Sequence, residues 1–131
     1  VDSPALRLIY DTGNPVSMKD VSGNDPYYYQ DSYLFYERVK EFVDYIHIKD
    51  AVVENDEPRY VFPGEGGGRV REILKSVAEE RPGLPISIEP HVAVVFHDPS
   101  VQAPFEERWS SFIDYGRQAV RVAEEAGIRF S

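Results

Sequence analysis

The chain is expected to be an α/β protein built on a parallel sheet, and three observations lead there. The segments LRLIYD (6–11), VDYIHIKD (43–50) and LPISIEP (84–90) alternate like strands, and the first residue with metal-binding chemistry near the end of each is Asp11, His47 or Glu89. Each segment is followed, further along, by a stripe of apolar residues at helical spacing. The connections are also unequal. Helix runs into strand with almost nothing between, whereas strand-to-helix segments are long: 12–31, 51–67 and 90–104. Such βα loops usually span about 2–6 residues, and long ones gather at the functional, carboxyl end of parallel strands.

In the first strand, Leu6, Leu8 and Tyr10 oppose Arg7, Ile9 and Asp11. In the second, Ile46 and Ile48 oppose Tyr45, His47 and Lys49. In the third, Ile86 and Ile88 oppose Ser87 and Glu89. Side chains alternate across a strand, so the aliphatic set should lie under helices and the polar set on the other face. Phe35, Val39, Phe42 and Val43 suggest a helix over 32–43. Val70, Ile73, Leu74, Val77 and Ala78 form a cleaner stripe over 68–81. Phe105, Trp109, Phe112, Ile113, Gly116, Val120 and Ala123 continue the period over 105–126, with Gly127 as a stop. The segments 51–67 and 90–104 are expected to be loops.

A length of 131 residues predicts a single unit, and 42% hydrophobic content suffices for a core. The absence of cysteine removes disulfides and thiolate metal sites. With 23 acidic against 14 basic side chains, the net charge of −9 argues against nucleic-acid binding. No apolar run approaches the ~20 residues of a membrane span, and no signal-peptide pattern opens the chain. A cytoplasmic location is expected. The first residue is Val, as in a segment of a longer reading frame or a processed product.

Asp11 could bind a metal or close an Asx turn in Asp11-Thr12-Gly13-Asn14-Pro15; Asn14 could donate to a substrate hydroxyl. His47 is either a core histidine or a ligand. Lys49 shares its strand face and could hold an anionic or carbonyl oxygen, or form a salt bridge with Asp50 or Glu89. Glu89 completes a strand where an unpaired carboxylate is costly, and it is the best candidate for a general base. His91 and His97 follow it in the loop and could reach the site. Pro63-Gly64-Glu65-Gly66-Gly67-Gly68 precedes a helix and could approach a phosphate, although it lacks the established nucleotide-loop patterns. Tyr27, Tyr28 and Tyr29, with Tyr33 and Tyr36, could stack on a sugar, form a lid, or pack the loop.

Together, YDTGNP (10–15), YIHIKDA (45–51), FPGEGGG (62–68), ISIEPH (86–91) and FIDYGRQAV (112–120) resemble the C-terminal part of the xylose isomerase-like TIM barrels, the sugar phosphate isomerase/epimerase group. The resemblance covers essentially the whole chain, 1–131, as a partial (β/α)8 barrel of about three β/α units, strands six to eight. It implies a divalent metal (Mn, Mg, Co or Zn) held by Asp11, His47 and Glu89, with a further Glu on the preceding strand, outside this chain. Glu89 would be one of two glutamates exchanging protons beside a metal-polarised carbonyl, and Asn14, Lys49 and His91 would contact substrate. The implied activity is isomerisation or epimerisation of a sugar or polyol. Alternatives are an inosose-type dehydratase on the same site, or a non-catalytic truncated barrel. Three units cannot close a barrel, so the resemblance also implies a partner: the N-terminal barrel half, or further copies of this chain. A nuclease branch of the same group carries Asp-Thr-x-His, where this chain has Asn14, and Asp-x-His shortly before its Gly-Glu-Gly, where this chain runs Glu57-Pro58-Arg59-Tyr60-Val61-Phe62. A nuclease is therefore not expected.

Overall fold

The computed structural model describes residues 3, 5–95 and 98–130. Strands β1 (Leu8–Asp11), β2 (Val43–Ile48) and β5 (Ile86–Ile88) form a parallel sheet in the order β1-β2-β5. Helices α1 (Ser32–Val39), α2 (Val70–Glu80) and α3 (Phe105–Glu125) follow the three strands in turn. The chain is thus mixed α/β, with parallel strands adjacent in chain order. A single 3-10 turn over Lys40–Phe42 carries α1 straight into β2.

Two of the expected loops contain structure. Residues 51–67 are mostly a hairpin of β3 (Asp50–Glu54) and β4 (Glu57–Val61), turning through Asn55 and Asp56 at φ 53° and 63°. Asn and Asp tolerate this left-handed conformation, and a two-residue turn of this kind suits an antiparallel pair. Residues 90–104 contain a short hairpin of β6 (Val94–Val95) and β7 (Asp98–Gln102). The strands are also shorter than the alternation suggests. Leu84 lies in a turn, its N–H bonded to Arg81, and Arg7 is tied sideways to Asp44 and the Glu41 carbonyl.

The core lies on one face of the parallel sheet. Ile46 and Ile48 pack with Val70, Ile73, Leu74 and Val77 of α2 and with Ala119, Val122 and Ala123 of α3. In the α2 stripe Val70, Ile73, Leu74 and Val77 are buried as the periodicity predicts, and Ala78 is half-buried. The stripes on α1 and α3 need correction. In α1, Tyr36 is buried, with Tyr33 and Val39 packed beside the core, while Phe35, and Phe42 in the 3-10 turn that follows, are exposed. In α3 the second half turns Tyr115, Ala119, Val122 and Ala123 inward, whereas Phe105, Trp109, Phe112 and Val120 are exposed. A helix with apolar residues on more than one side does not reveal which side meets the core. Gly116 lies inside α3, and a methyl group there would make an ordinary 3.7 Å contact with Ile88. Gly116→Ala is therefore expected to stabilise the protein by up to about 1 kcal/mol, read from the denaturation midpoint, because Ala has the higher helix propensity.

Tyr10 anchors the end of β1 to the start of α1. Its hydroxyl donates to the Ser32 carbonyl, and the Ser32 hydroxyl donates to the Thr12 carbonyl. Burial, aided by the charges of Asp11 and Asp31, pushes the Tyr10 phenol up to about 12. A raised folded-state value means that this contribution to stability is intact below pH 10 and is lost as pH rises through about 12. Tyr10→Phe should show a shallower loss of stability between pH 10 and 12 than the parent protein, measured by denaturation at each pH.

Candidate metal centre

The register of the parallel sheet gathers the three strand-end side chains. Asp11 is paired with His47 across β1 and β2, and His47 with Ser87 across β2 and β5, which puts Glu89 just beyond the pair. The Thr12 N–H donates to the His47 carbonyl and the Glu89 N–H to the Ile48 carbonyl, so the alignment continues past the strand ends. The result is a cluster in which one ligand atom each from Asp11, His47 and Glu89 lies within 4.8 Å of the others. It is the only such group of His, Asp and Glu among the described residues.

The expected Asx turn occurs at Asp11, through one of its two oxygens. Oδ1 accepts the N–H groups of Gly13 at 2.9 Å and Asn14 at 2.8 Å. Oδ2 is buried and has no well-aligned hydrogen bond, though the Lys49 ammonium stands 2.9 Å away. His47 Nδ1 and Glu89 Oε2 are 2.9 Å apart. An ionised carboxylate only accepts, so Nδ1 is the donor in this contact. Glu89 Oε1 faces Lys49 Nζ at 3.5 Å and His91 Nε2 at 3.4 Å. His91 is buried, and its ring meets Tyr60 of β4 edge-on at 4.9 Å.

Burial raises the Asp11 carboxyl above the usual aspartate value, against the pull of Lys49. Burial also acts on Glu89, but bonds from Asp11 and His47 and the charges of Lys49 and His91 outweigh it and hold that carboxyl low. The two neighbouring acids are thus shifted in opposite directions, Asp11 upward and Glu89 downward.

Lys49 is held from both sides. The Thr12 hydroxyl donates to the Lys49 carbonyl and accepts the Lys49 N–H at 3.0 Å. Gly13 lies against the lysine stem, where a Cβ would come within 2.8 Å of Cγ. Asn14 is exposed, and its contribution here is its backbone N–H to Asp11. His97 lies outside the described residues.

The glycine-rich segment has a partner that the sequence did not suggest. The buried Asp50 carboxylate accepts the N–H groups of Ala51 at 2.9 Å, Gly64 at 2.8 Å, Gly66 at 3.0 Å and Gly68 at 2.8 Å. The donors that could have approached a phosphate are therefore used by an internal carboxylate. Burial raises the Asp50 carboxyl above its ordinary value, although those N–H groups act the other way. Gly68 allows this approach: a Cβ there would lie 2.8 Å from Asp50 Oδ1 and 3.0 Å from the Thr12 carbonyl oxygen. Tyr115, which sequence patterning did not select, is buried in α3 with its hydroxyl 3.4 Å from the Ile48 carbonyl. The tyrosine loop packs locally rather than stacking at the cluster. Tyr29 donates to Asp56 and lies under Lys19, while Tyr27 and Tyr28 are exposed.

The donor set fits a divalent cation. It offers carboxylate oxygens and an imidazole, and the buried Asp11 Oδ2 has no well-aligned hydrogen bond, with the Lys49 ammonium 2.9 Å away. Ligands about 2.0–2.2 Å from a shared ion stand at most about 4.4 Å apart, close to the span of this cluster. Asp11, His47 and Glu89 would hold the ion. Among the described residues no helix is long and apolar enough to cross a membrane. Comparison with protein-family models, curated proteins and solved structures finds no match to this chain.

Proposed function

We propose that the chain is the metal-binding end of a xylose isomerase-like (β/α)8 barrel, its sixth to eighth units, and that the completed barrel isomerises or epimerises a sugar or polyol. The observation that carries the reading is the convergence of Asp11, His47 and Glu89 from three neighbouring parallel strands. Barrels of this kind place catalytic groups at the carboxyl ends of several strands. A divalent ion bound there supplies polarisation of a substrate carbonyl, which acidifies the adjacent C–H. Glu89, whose carboxyl is held below its ordinary value, takes that proton at a carboxylate oxygen. His47 orients Glu89 through Oε2, and His91 and Lys49 flank Oε1. Water elimination from a keto-polyol begins with the same proton abstraction, so a dehydratase would use these residues alike. Return of the proton to the opposite face needs a second acid, which the family pattern puts on the strand before β1.

Exposed apolar surface supports the partial-barrel reading. Leu8 and Ile9 are 42% and 61% exposed on the outer strand β1. On the other flank a cleft of about 570 Å³ runs beside β5, lined by Phe105, Arg108, Trp109 and Phe112. Neighbouring β/α units, from the N-terminal barrel half or another copy of the chain, would cover both flanks.

The alternative is a non-catalytic barrel remnant. It is favoured by Lys49, whose ammonium already pairs with both Asp11 and Glu89. Calorimetric titration of the intact protein with Mn²⁺ and Co²⁺ separates the two. One saturable ion per chain, released by chelator, is expected of the metal enzyme; no binding by the intact protein would leave the remnant.

A further inference from the structure

The Lys49 ammonium lies against two members of the cluster. It stands 2.9 Å from Asp11 Oδ2 and 3.5 Å from Glu89 Oε1, and the lysine side chain is only 6% exposed. These are two of the three residues that would hold a cation. We propose that the Lys49 ammonium is the site's built-in counter-cation: it holds Asp11 and Glu89 in place before an ion arrives and is displaced from them when one binds. The proposal rests on the metal-binding reading above and adds a competitor within the chain.

The argument is electrostatic and steric. Two poorly solvated carboxylates side by side repel unless a positive charge lies between them. Lys49 supplies that charge, and its three N–H donors can serve both acids at once. A divalent ion on Asp11 Oδ2 would sit only a few ångströms from the ammonium in a poorly solvated site, where like charges repel strongly. One of the two must leave. The lysine can do so without moving the backbone, because Thr12 clamps the Lys49 N–H and carbonyl while the four-carbon stem turns. The cluster offers an exit on the side of His47 and Glu89, whose side chains remain 31% and 37% exposed.

The experiment compares the parent protein with Lys49→Met, which keeps the stem and removes the charge, and Lys49→Arg, which keeps the charge. Two quantities are measured on each intact protein: the melting temperature with chelator present, and Co²⁺ affinity by calorimetry. Lys49→Met is expected to melt lower without metal and to bind Co²⁺ about ten- to a hundredfold more tightly, as expected for removal of a like charge a few ångströms away. Lys49→Arg should bind no more tightly than the parent. If Lys49→Met does not yield folded protein, ¹⁵N-lysine NMR of the parent gives the same answer. The buried ammonium resonance should shift or disappear on saturation with diamagnetic Mg²⁺ or Zn²⁺. Co²⁺ binding to the parent with unchanged or weaker binding to Lys49→Met overturns the counter-cation alone, as does an ammonium resonance unmoved at saturation. Absence of binding to every form overturns the metal reading and this proposal with it.

Discussion

Asp50→Ala is expected to cost about 3–6 kcal/mol of stability, because each buried donor left without an acceptor costs about 1–3 kcal/mol and partial relaxation recovers some of it. The substitution strands the N–H groups of Ala51, Gly64, Gly66 and Gly68 together. Those groups fix the start of β3 and the approach to α2, and α2 supplies four of the most deeply buried aliphatic side chains. A domain of this size is stable by only about 5–15 kcal/mol, so the loss would be visible as a large fall in the urea midpoint. Asp50→Asn keeps one carbonyl oxygen but turns an amide donor toward other donors, and its stability should fall between those of Asp and Ala. Gly68→Ala attacks the same contact from the other side, since the added methyl meets Asp50 and the Thr12 carbonyl. A loss below 1 kcal/mol for Asp50→Ala would show that the four bonds contribute little beyond what water supplies.

Removing any one of the proposed ligands, by Asp11→Ala, His47→Ala or Glu89→Ala, should weaken Co²⁺ binding by about a hundredfold or more, because even outer partners of metal ligands contribute about 10–100-fold. His91 touches Glu89 Oε1 at 3.4 Å without belonging to the ligand cluster, so His91→Ala should fall in that smaller range. Asn14→Ala keeps the backbone N–H that Asp11 uses and should bind the ion as the parent does. The ordering is more informative than any single value. If the three ligand variants bind Co²⁺ like the parent protein, the ion is held elsewhere. The same ion should also stabilise the fold: at a concentration 100 times its Kd, a ligand specific to the folded state contributes about 2.7 kcal/mol. Chelator should therefore lower the melting temperature of the parent but not of the ligand variants.

Local pattern was informative where one period described the element. The α2 stripe and the Ile46/His47/Ile48 alternation needed only spacings within a few residues, and the buried side chains follow them. It was misleading where an element carries apolar groups on several sides. Phe35 and Phe42 matched a helical stripe, yet Tyr36 fills the core, because a tyrosine that finds a partner for its hydroxyl buries a large ring at little polar cost. The β3–β4 hairpin was hidden by its polar content. Its Asn55-Asp56 turn was the available signal, along with the alternation that leads to Tyr60 and hence to His91.

The sequence by itself determined which residues carry ligand chemistry and on which strand face they lie, because alternation is a property of the chain within a few residues. Only the tertiary structure decided what those residues meet. Asp11 and His47 are 36 positions apart, and His47 and Glu89 are 42. Their approach depends on the register of β1, β2 and β5, which is set by helices and hydrogen bonds distributed along the chain. The same holds for Lys49 between Asp11 and Glu89, and for Asp50 within the glycine turn. A charged side chain in a sequence has many possible partners, and packing selects the one it faces.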